Sequence, residues 1–424
     1  MTARRLSPRI GVYAALAGAL ALVAAFFGRI EPLALAAPLV AAVFLGLATL
    51  REPRFELQRD VTGQRVFEGG TTEVAVTIRA HTDLPLVEVA CPLPEGAMLT
   101  KGTSSAFVSL RSAGITRVSY CFRMRCRCQF ELGPVRVRAH LASGLAGWEA
   151  EAGGWTQCIV YPSPAPLRAR LVPRKTRAYV GSYASRVPGE GIDFLDLRLF
   201  AAGDQTGRIN WRATARRDEL VVNLLSAERN ADVVIAMDLF SDAGEVGRSV
   251  LDMCARGAAA LSRSYLREKN RVGYVELGHY LWWLSPSSSH RQWFRILERL
   301  AGLQVLEGYL SSEIASVPAR ILPPGAFVIG WSSLANPAWC REIMELKRRG
   351  YDVVVVSPWA PDLIRECLPA TPESALALRV WELEQRTRVA ELERIGVSCI
   401  PWRPEEPLDL VVRLLDRAGR RSRR

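Results

Sequence analysis

The chain lacks the short motifs on which much enzyme chemistry rests. It has no Gly-x-x-x-x-Gly-Lys phosphate loop, which argues against ATP hydrolysis by this chain. It has no His-Glu-x-x-His pair and no Gly-x-Ser-x-Gly elbow, so two common hydrolytic sites are missing as well. The four histidines, His81, His140, His279 and His290, are scattered over expected strands and loops. The nine cysteines form no Cys-x-x-Cys pair. Cys121, Cys126 and Cys128 cluster, but no second pair or nearby histidine completes a zinc site. An odd count without a framework points to reduced thiols, and so to a reducing compartment. Carboxylates recur in Pro188–Asp196 with no pocket signal around them. The expectation is a protein that is not an enzyme.

Charge is missing too, in two places. Ile10–Phe27 and Leu33–Leu50 carry no charged side chain, and Gly28-Arg29-Ile30-Glu31-Pro32 separates them. Each run is about 18 residues, near the lower limit for a helix crossing a bilayer. A backbone in lipid must satisfy its own hydrogen bonds, so two helices joined by a tight turn is the favoured form. A signal peptide or a pair of buried core helices is the rival reading. The first fits less well, because no Ala-x-Ala-like site precedes a polar start and a second apolar run follows at once. Arg4, Arg5 and Arg9 flank the first run; Arg51, Arg54 and Arg59 flank the second. Arginines near span ends stay cytoplasmic. The expectation is a multi-pass protein of the inner (cytoplasmic) membrane, with its soluble domains in the cytoplasm.

What is present is a basic, half-apolar body. Net charge is +12, from 55 Lys and Arg against 43 Asp and Glu, and 49% of residues are hydrophobic. That leaves room for two soluble cores beside the apolar runs. Arg417, Arg420, Arg421, Arg423 and Arg424 make a basic tail, which is either a solvated terminus or a contact for anionic lipid. No DNA- or RNA-binding motif is recognisable, and nucleic acid is not an expected partner.

From about Arg54 to Pro166 the pattern is β. Val74, Val76 and Ile78 alternate with Glu73, Thr77 and Arg79, the period of a half-buried strand. Val135 and Val137 alternate with Arg136 and Arg138 in the same way. Phe107–Leu110 and Thr116–Phe122 flank a Ser112-Ala113-Gly114 turn, which predicts a hairpin. Short strands at this spacing suggest an antiparallel sandwich. Tyr161-Pro-Ser-Pro-Ala-Pro166 is extended and semi-rigid, and marks a domain boundary.

Pro188–Val222 is the densest polar and aromatic stretch. Asp204 or Thr206 can cap a helix running to about Arg217. On that helix Arg208, Arg212 and Arg216 are spaced by four and share a face. One reading is an arginine surface for a partner's acidic loop. The other is an internal network, in which arginines pair with nearby carboxylates and Trp211 packs as a wedge.

Several residues here occur in a recognisable order: Gly-x-x-Phe at Gly191–Phe194, Leu-Arg-x-Phe at Leu197–Phe200, Gly203-Asp204, Arg-Ile-Asn-Trp at Arg208–Trp211, Ala-Arg-Arg at Ala215–Arg217, and Glu228. The chain resembles the domain of unknown function 58 family. The resemblance marks Arg198, Gly203, Asp204, Arg208, Asn210, Trp211 and Arg216 as signature or partner-binding residues. It implies a membrane anchor, a β segment and a von Willebrand factor type A-like domain. Family members are often encoded beside MoxR-type AAA ATPases and transglutaminase-like membrane proteins. The resemblance therefore implies a partner and supplies no reaction.

Beyond the signature, strands and helices alternate. Asp232–Leu239, Arg271–Leu277, Phe327–Leu334, Val353–Ser357 and Ser398–Trp402 read as strands. Tyr280–Leu284 reads as a strand antiparallel to Arg271–Leu277. Val246–Arg267, His290–Ala301, Pro372–Ile395 and Leu408–Leu415 read as helices. This pattern predicts a mostly parallel, doubly wound sheet. In a type A fold a metal site follows the first strand as Asp-x-Ser-x-Ser. Here the run is Asp238-Leu239-Phe240-Ser241-Asp242, in which Phe240 cannot ligate and Asp242 replaces a serine. Asp238 and Asp242, with Ser332 and Ser333 nearby, make a degenerate candidate for Mg2+ or Mn2+.

The expected class is α/β plus all-β. Residues 1–52 form a transmembrane helical hairpin, 53–166 a β-sandwich-like domain and 167–230 the signature segment. Residues 231–424 form a doubly wound von Willebrand factor type A-like domain with the basic tail. The expected role is a non-catalytic scaffold or adaptor that binds a protein partner, a MoxR-type ATPase by resemblance, at the lipid bilayer. The alternative is a metal-dependent binding or hydrolytic protein centred on Asp238 and Asp242.

Overall fold

The computed structural model describes residues 3–48, 52–140, 146–167, 177–188, 194–201, 204, 206–230, 232–305, 314, 317–365 and 367–413. The chain divides into two compact units, Met1–Val160 and Tyr161–Arg424.

The first unit opens with a short strand, β1 (Ala3–Leu6), followed by helices α1 (Pro8–Phe27) and α2 (Glu31–Ala48). Ser7 caps α1 by accepting a hydrogen bond from the Arg9 amide at 3.3 Å, and Pro8 occupies the first turn, where no amide partner is needed. Gly28 ends α1 in the left-handed conformation, which costs glycine little. Among the described residues α1 is the one helix long and apolar enough to cross a membrane, and Glu31–Leu45 is a shorter apolar helix. Little of α1 packs inside the protein: Phe26 is 84% exposed, and only Ala17 and Ala24 are buried.

Ten further strands and one short one complete this unit: β2 (Phe55–Thr62), β3 (Arg65–Phe67), β4 (Thr71–Ala80), β5 (Leu84–Ala90), β6 (Ala97–Lys101), β7 (Ser105–Leu110), β8 (Ile115–Met124), β9 (Cys128–Leu132), β10 (Val135–His140), β11 (Ala146–Ala152) and β12 (Thr156–Tyr161). A four-stranded sheet runs β2-β4-β8-β6 and a five-stranded sheet runs β1-β11-β10-β5-β7, all antiparallel. Val74, Val76 and Ile78 of the first sheet share one core with Val87, Val89, Val135 and Val137 of the second. The alternation read from the sequence is thus the inward face of a two-sheet sandwich.

The expected hairpin over 107–122 does not form. β7 pairs with β5 and β8 pairs with β4 and β6, so the turn at Arg111–Gly114 carries the chain from one sheet to the other. Alternation identifies a strand but not its partner, and the same turn serves a hairpin or a crossover. β1 is also outside the sequence reading; its four residues pair with Ala146–Glu149 and are too few to show a period.

The second unit begins with the signature. β13 (Arg177–Pro188), β14 (Phe194–Leu199) and β15 (Val221–Asn230) form a three-stranded antiparallel sheet in the order β13-β15-β14. A short helix, α3 (Trp211–Arg217), lies between β14 and β15. The remainder comprises β16 (Asp232–Asp238), α4 (Val250–Arg267), β17 (Arg271–Leu277), β18 (Leu281–Ser287), α5 (His290–Ala301), β19 (Phe327–Trp331), α6 (Pro337–Arg348), β20 (Asp352–Pro358), α7 (Ala360–Arg365), α8 (Pro372–Arg394) and β21 (Ser398–Trp402). Their sheet runs β18-β17-β16-β19-β20-β21, parallel throughout except for β18.

Helices cover both faces of this sheet. A Cβ on Gly330 would lie 2.7 Å from the Trp339 ring of α6, and one on Gly257 of α4 would lie 2.3 Å from the Trp331 ring. Gly330 and Trp331 are consecutive in β19 and point to opposite faces, so α6 and α4 lie on opposite sides. Helix and sheet approach this closely at both tryptophans because a glycine faces each ring, Gly330 of the sheet under Trp339 and Gly257 of α4 over Trp331. The fully buried strands β16, β19 and β20 read as continuous apolar runs for the same reason.

Candidate functional site

The signature folds into a stitched loop between β14 and β15. The Arg198 guanidinium donates to Asp204 Oδ1 at 2.6 Å, and the Ala201 amide donates to Asp204 Oδ2 at 2.9 Å. Those donors hold the Asp204 carboxyl below its usual pKa, the backbone amide first and the arginine second. Asn210 accepts from the Ala213 amide at 3.0 Å, capping α3, and donates to Asn223 Oδ1 at 2.8 Å. The Val221 amide donates to Thr214 Oγ1 at 3.1 Å, and Ile209 bridges to Val222. These contacts fix a seven-residue helix that is too short to hold itself in water.

The helix differs from the sequence expectation. It starts at Trp211 under an Asn210 cap, not at Asp204 or Thr206, and Thr206–Arg208 is a separate 3-10 turn. Arg208 therefore lies off the helix that carries Arg212 and Arg216. The asparagine was legible as a signature residue but not as a cap, because the better-known capping residues upstream competed for that role. Gly203 of the signature lies outside the described residues.

The network reading and the surface reading each describe part of the signature. Arg198 and Asp204 pair internally, as do Asn210 and Asn223. Trp211 is no wedge: it is 67% exposed, and α3 has no buried residue. Arg212, Arg216 and Arg217 stand exposed beside it and make no ion pair among the described residues. Exposed Leu199 and Leu220 lie at the ends of the flanking strands. Trp211 is thus an unburied indole among guanidiniums that no described carboxylate neutralises.

The second candidate lies where β16 and β19 end, the point at which the order of parallel strands reverses and open α/β sheets bind ligands. Asp238 ends β16 and is 4% exposed. Its Oδ2 accepts from Ser332 Oγ at 2.5 Å and its Oδ1 from the Phe240 amide at 3.0 Å. Ser332 Oγ in turn accepts from the Leu334 amide at 2.8 Å. Burial pushes the Asp238 carboxyl up to about 7, against the pull of those two donors. Asp242 faces other donors: its Oδ1 accepts from the Ala243 and Leu251 amides at 2.8 and 2.9 Å, bracing the start of α4.

This donor set does not fit the divalent ion that the degenerate motif suggests. Both Asp238 oxygens and the Ser332 hydroxyl are already engaged by donors of the protein. The phenyl ring of Phe240 stands where the motif has a hydroxyl. Among the described residues no group of three His, Cys, Asp or Glu is arranged to hold a metal. The strand ends are closed by a hydrogen-bonded plug of Asp238, Ser332 and backbone.

A β-sandwich and a doubly covered α/β sheet, with a stitched signature between them in the chain, define the class of protein. Residues 196–318 match the family model described as Protein of unknown function DUF58, which supports the assignment of the chain to the DUF58 family. No curated protein is a match. Two solved structures show local likeness to the chain. The CARDB domain of the PF1109 protein from Pyrococcus furiosus, solved with di-metal ions, is 9% identical with a TM-score of 0.16, over 24% of this chain and 96% of that one. A mutant β-glucosidase from Listeria innocua, solved with laminaribiose, is 19% identical with a TM-score of 0.13, over 24% of this chain and 16% of that one. At such scores neither informs function.

Proposed function

We propose that the protein is a membrane-anchored adaptor without catalytic activity of its own, whose signature surface holds an acidic face of a protein partner. The observation that carries this reading is α3: Trp211 exposed, arginines unpaired around it, and the frame beneath locked by Arg198, Asp204 and Asn210. Interfaces are enriched in tryptophan and arginine, and a rigid frame lowers the entropy lost on docking. The strand order with its single antiparallel edge supports a von Willebrand factor type A-like reading of the second unit. The two apolar helices, with arginines at their outer ends, support a hairpin anchor with both units in the cytoplasm. A MoxR-type AAA ATPase is the partner that the family resemblance implies.

Co-purification tests this. Detergent-solubilised protein, expressed with a neighbouring MoxR-type ATPase, is expected to retain it. The Trp211→Ala, Arg216→Glu double variant should lose at least tenfold of the bound ATPase while keeping the wild-type melting temperature. An ATPase that never co-purifies, or one retained in full by the double variant, would overturn the proposal.

A further inference from the structure

The sandwich unit carries a groove that the adaptor reading does not use. It encloses about 590 Å³, within the range of small-ligand and peptide pockets. Its floor is the outer face of the five-stranded sheet: Glu88 and Ala90 on β5, Arg136 and Arg138 on β10, Glu151 on β11. Its walls are the Cys91–Pro94 loop, the Gly133-Pro134 turn and Trp155. Burial pushes the Cys91 thiol up to about 11, so the groove offers no thiolate nucleophile.

Trp155 is held in place rather than loose. It is 71% exposed, yet its ring lies against Gly133, where a Cβ would come within 3.3 Å of it. Arg59 braces the backbone on both sides. Its guanidinium donates to Gly133 O and Gly154 O at 2.6 Å each, and to Thr156 Oγ1. An exposed indole on a braced frame offers its free face to a ligand.

The charges around it are uneven. Arg138 is engaged by Glu88 at 3.7 Å and Glu149 at 3.4 Å. Glu131, Glu151 and Arg136 enter no ion pair among the described residues. Counting Arg59, which meets only carbonyls and a hydroxyl, with Arg136 and Arg138 against Glu88, Glu131, Glu149 and Glu151, the groove and its rim hold one carboxylate in excess, on a chain whose net charge is +12. An aromatic face and carboxylates together attract an organic cation. Pro92, Leu93 and Pro94 supply apolar wall beyond the charged end, which suits a chain more than an isolated ion.

We propose that this groove binds a basic peptide segment of a protein partner, with a lysine or arginine cation over Trp155 and facing Glu131 and Glu151. Arg136 is placed to donate to the peptide's carbonyl groups. Full-length protein in detergent can be titrated into a fluorescein-labelled pentapeptide with one central arginine among glycine and alanine, followed by anisotropy. The same peptide with citrulline, a neutral analogue of equal shape, is the comparison. Arginine peptide should bind at least tenfold tighter than citrulline peptide, and the difference should shrink as salt rises. Trp155→Ala and Glu151→Gln should each remove most of that difference, while Trp155→Phe retains part of it. Equal binding of the two peptides, no binding of either, or an unchanged difference in Trp155→Ala would overturn the proposal. So would preferential binding of a neutral glucan oligosaccharide or of an acidic pentapeptide.

Discussion

Glu276 and Asp238, two of the carboxyl groups buried in the six-stranded sheet, lie on neighbouring strands and are treated in opposite ways. Glu276 on β17 is fully buried and meets Arg299 of α5 through two hydrogen bonds, at 3.1 and 2.5 Å. The guanidinium also lies 3.9 Å above the Trp282 ring. Asp238, on β16, has a hydroxyl and an amide but no cation. Glu276 is kept by charge pairing; Asp238 is kept by becoming neutral near pH 7. This fold thus gives a cation to Glu276, where α5 docks, and none to Asp238 at the carboxyl end of β16.

The largest test of this contrast is Arg299→Met. It leaves Glu276 buried without its cation, which costs about 3–5 kcal/mol when one partner of a buried pair is removed. Chemical denaturation should show it, and Glu276→Leu added to Arg299→Met should recover much of the loss.

Asp238→Asn is expected to act in the opposite direction. A carboxyl raised from 3.8 to about 7 binds its proton more tightly in the folded state than in the unfolded chain. Stability from this group is greatest below about pH 4, falls as pH rises to about 7, and is then level. The total cost at alkaline pH is roughly 4 kcal/mol at most, at about 1.4 kcal/mol for each tenfold difference in proton affinity between the folded and unfolded chain. Asn keeps an acceptor for the Phe240 amide and cannot ionise, so melting temperature at pH 8 should rise and its slope between pH 4 and 7 should flatten. A slope unchanged by Asp238→Asn would show that Asp238 stays ionised.

The smallest effect is at the signature. Asn210→Ala removes the α3 cap and the Asn223 contact, for a loss of about 1 kcal/mol in denaturant unfolding. That change should loosen α3 more than it destabilises the unit as a whole, and amide exchange at Ala213 would report it.

Much of the second unit was legible because its strands are apolar throughout and its helices amphipathic. His290–Ala301 and Ser398–Trp402 lie where the sequence places them, and β18 pairs antiparallel with β17 as expected. Helix α6 was missed: Asn336-Pro337 opens it, but Trp339 and Cys340 at its start suggest core rather than an amphipathic face. In the sandwich, the period located strands such as β4 and β10 while the Arg111–Gly114 crossover stayed hidden, since pairing is decided by the far side of the core. At the candidate sites, Trp211 and the arginines were visible as types in a pattern. Their exposure depended on whether α3 packs on a core, which spacing alone does not decide. Trp155 and its groove left no local signature at all, being assembled from three strands and two turns distant in the chain.

A single residue, Ser7, separates the end of β1 from the start of α1. One extended residue spans about 3.5 Å, so the sandwich has almost no leash on that side. Whatever layer grips the Pro8–Phe27 helix also sets the standoff of the sheet edge from it. A pull or tilt on the helix would load the β1–β11 ladder from its end, four residues that can peel away one at a time.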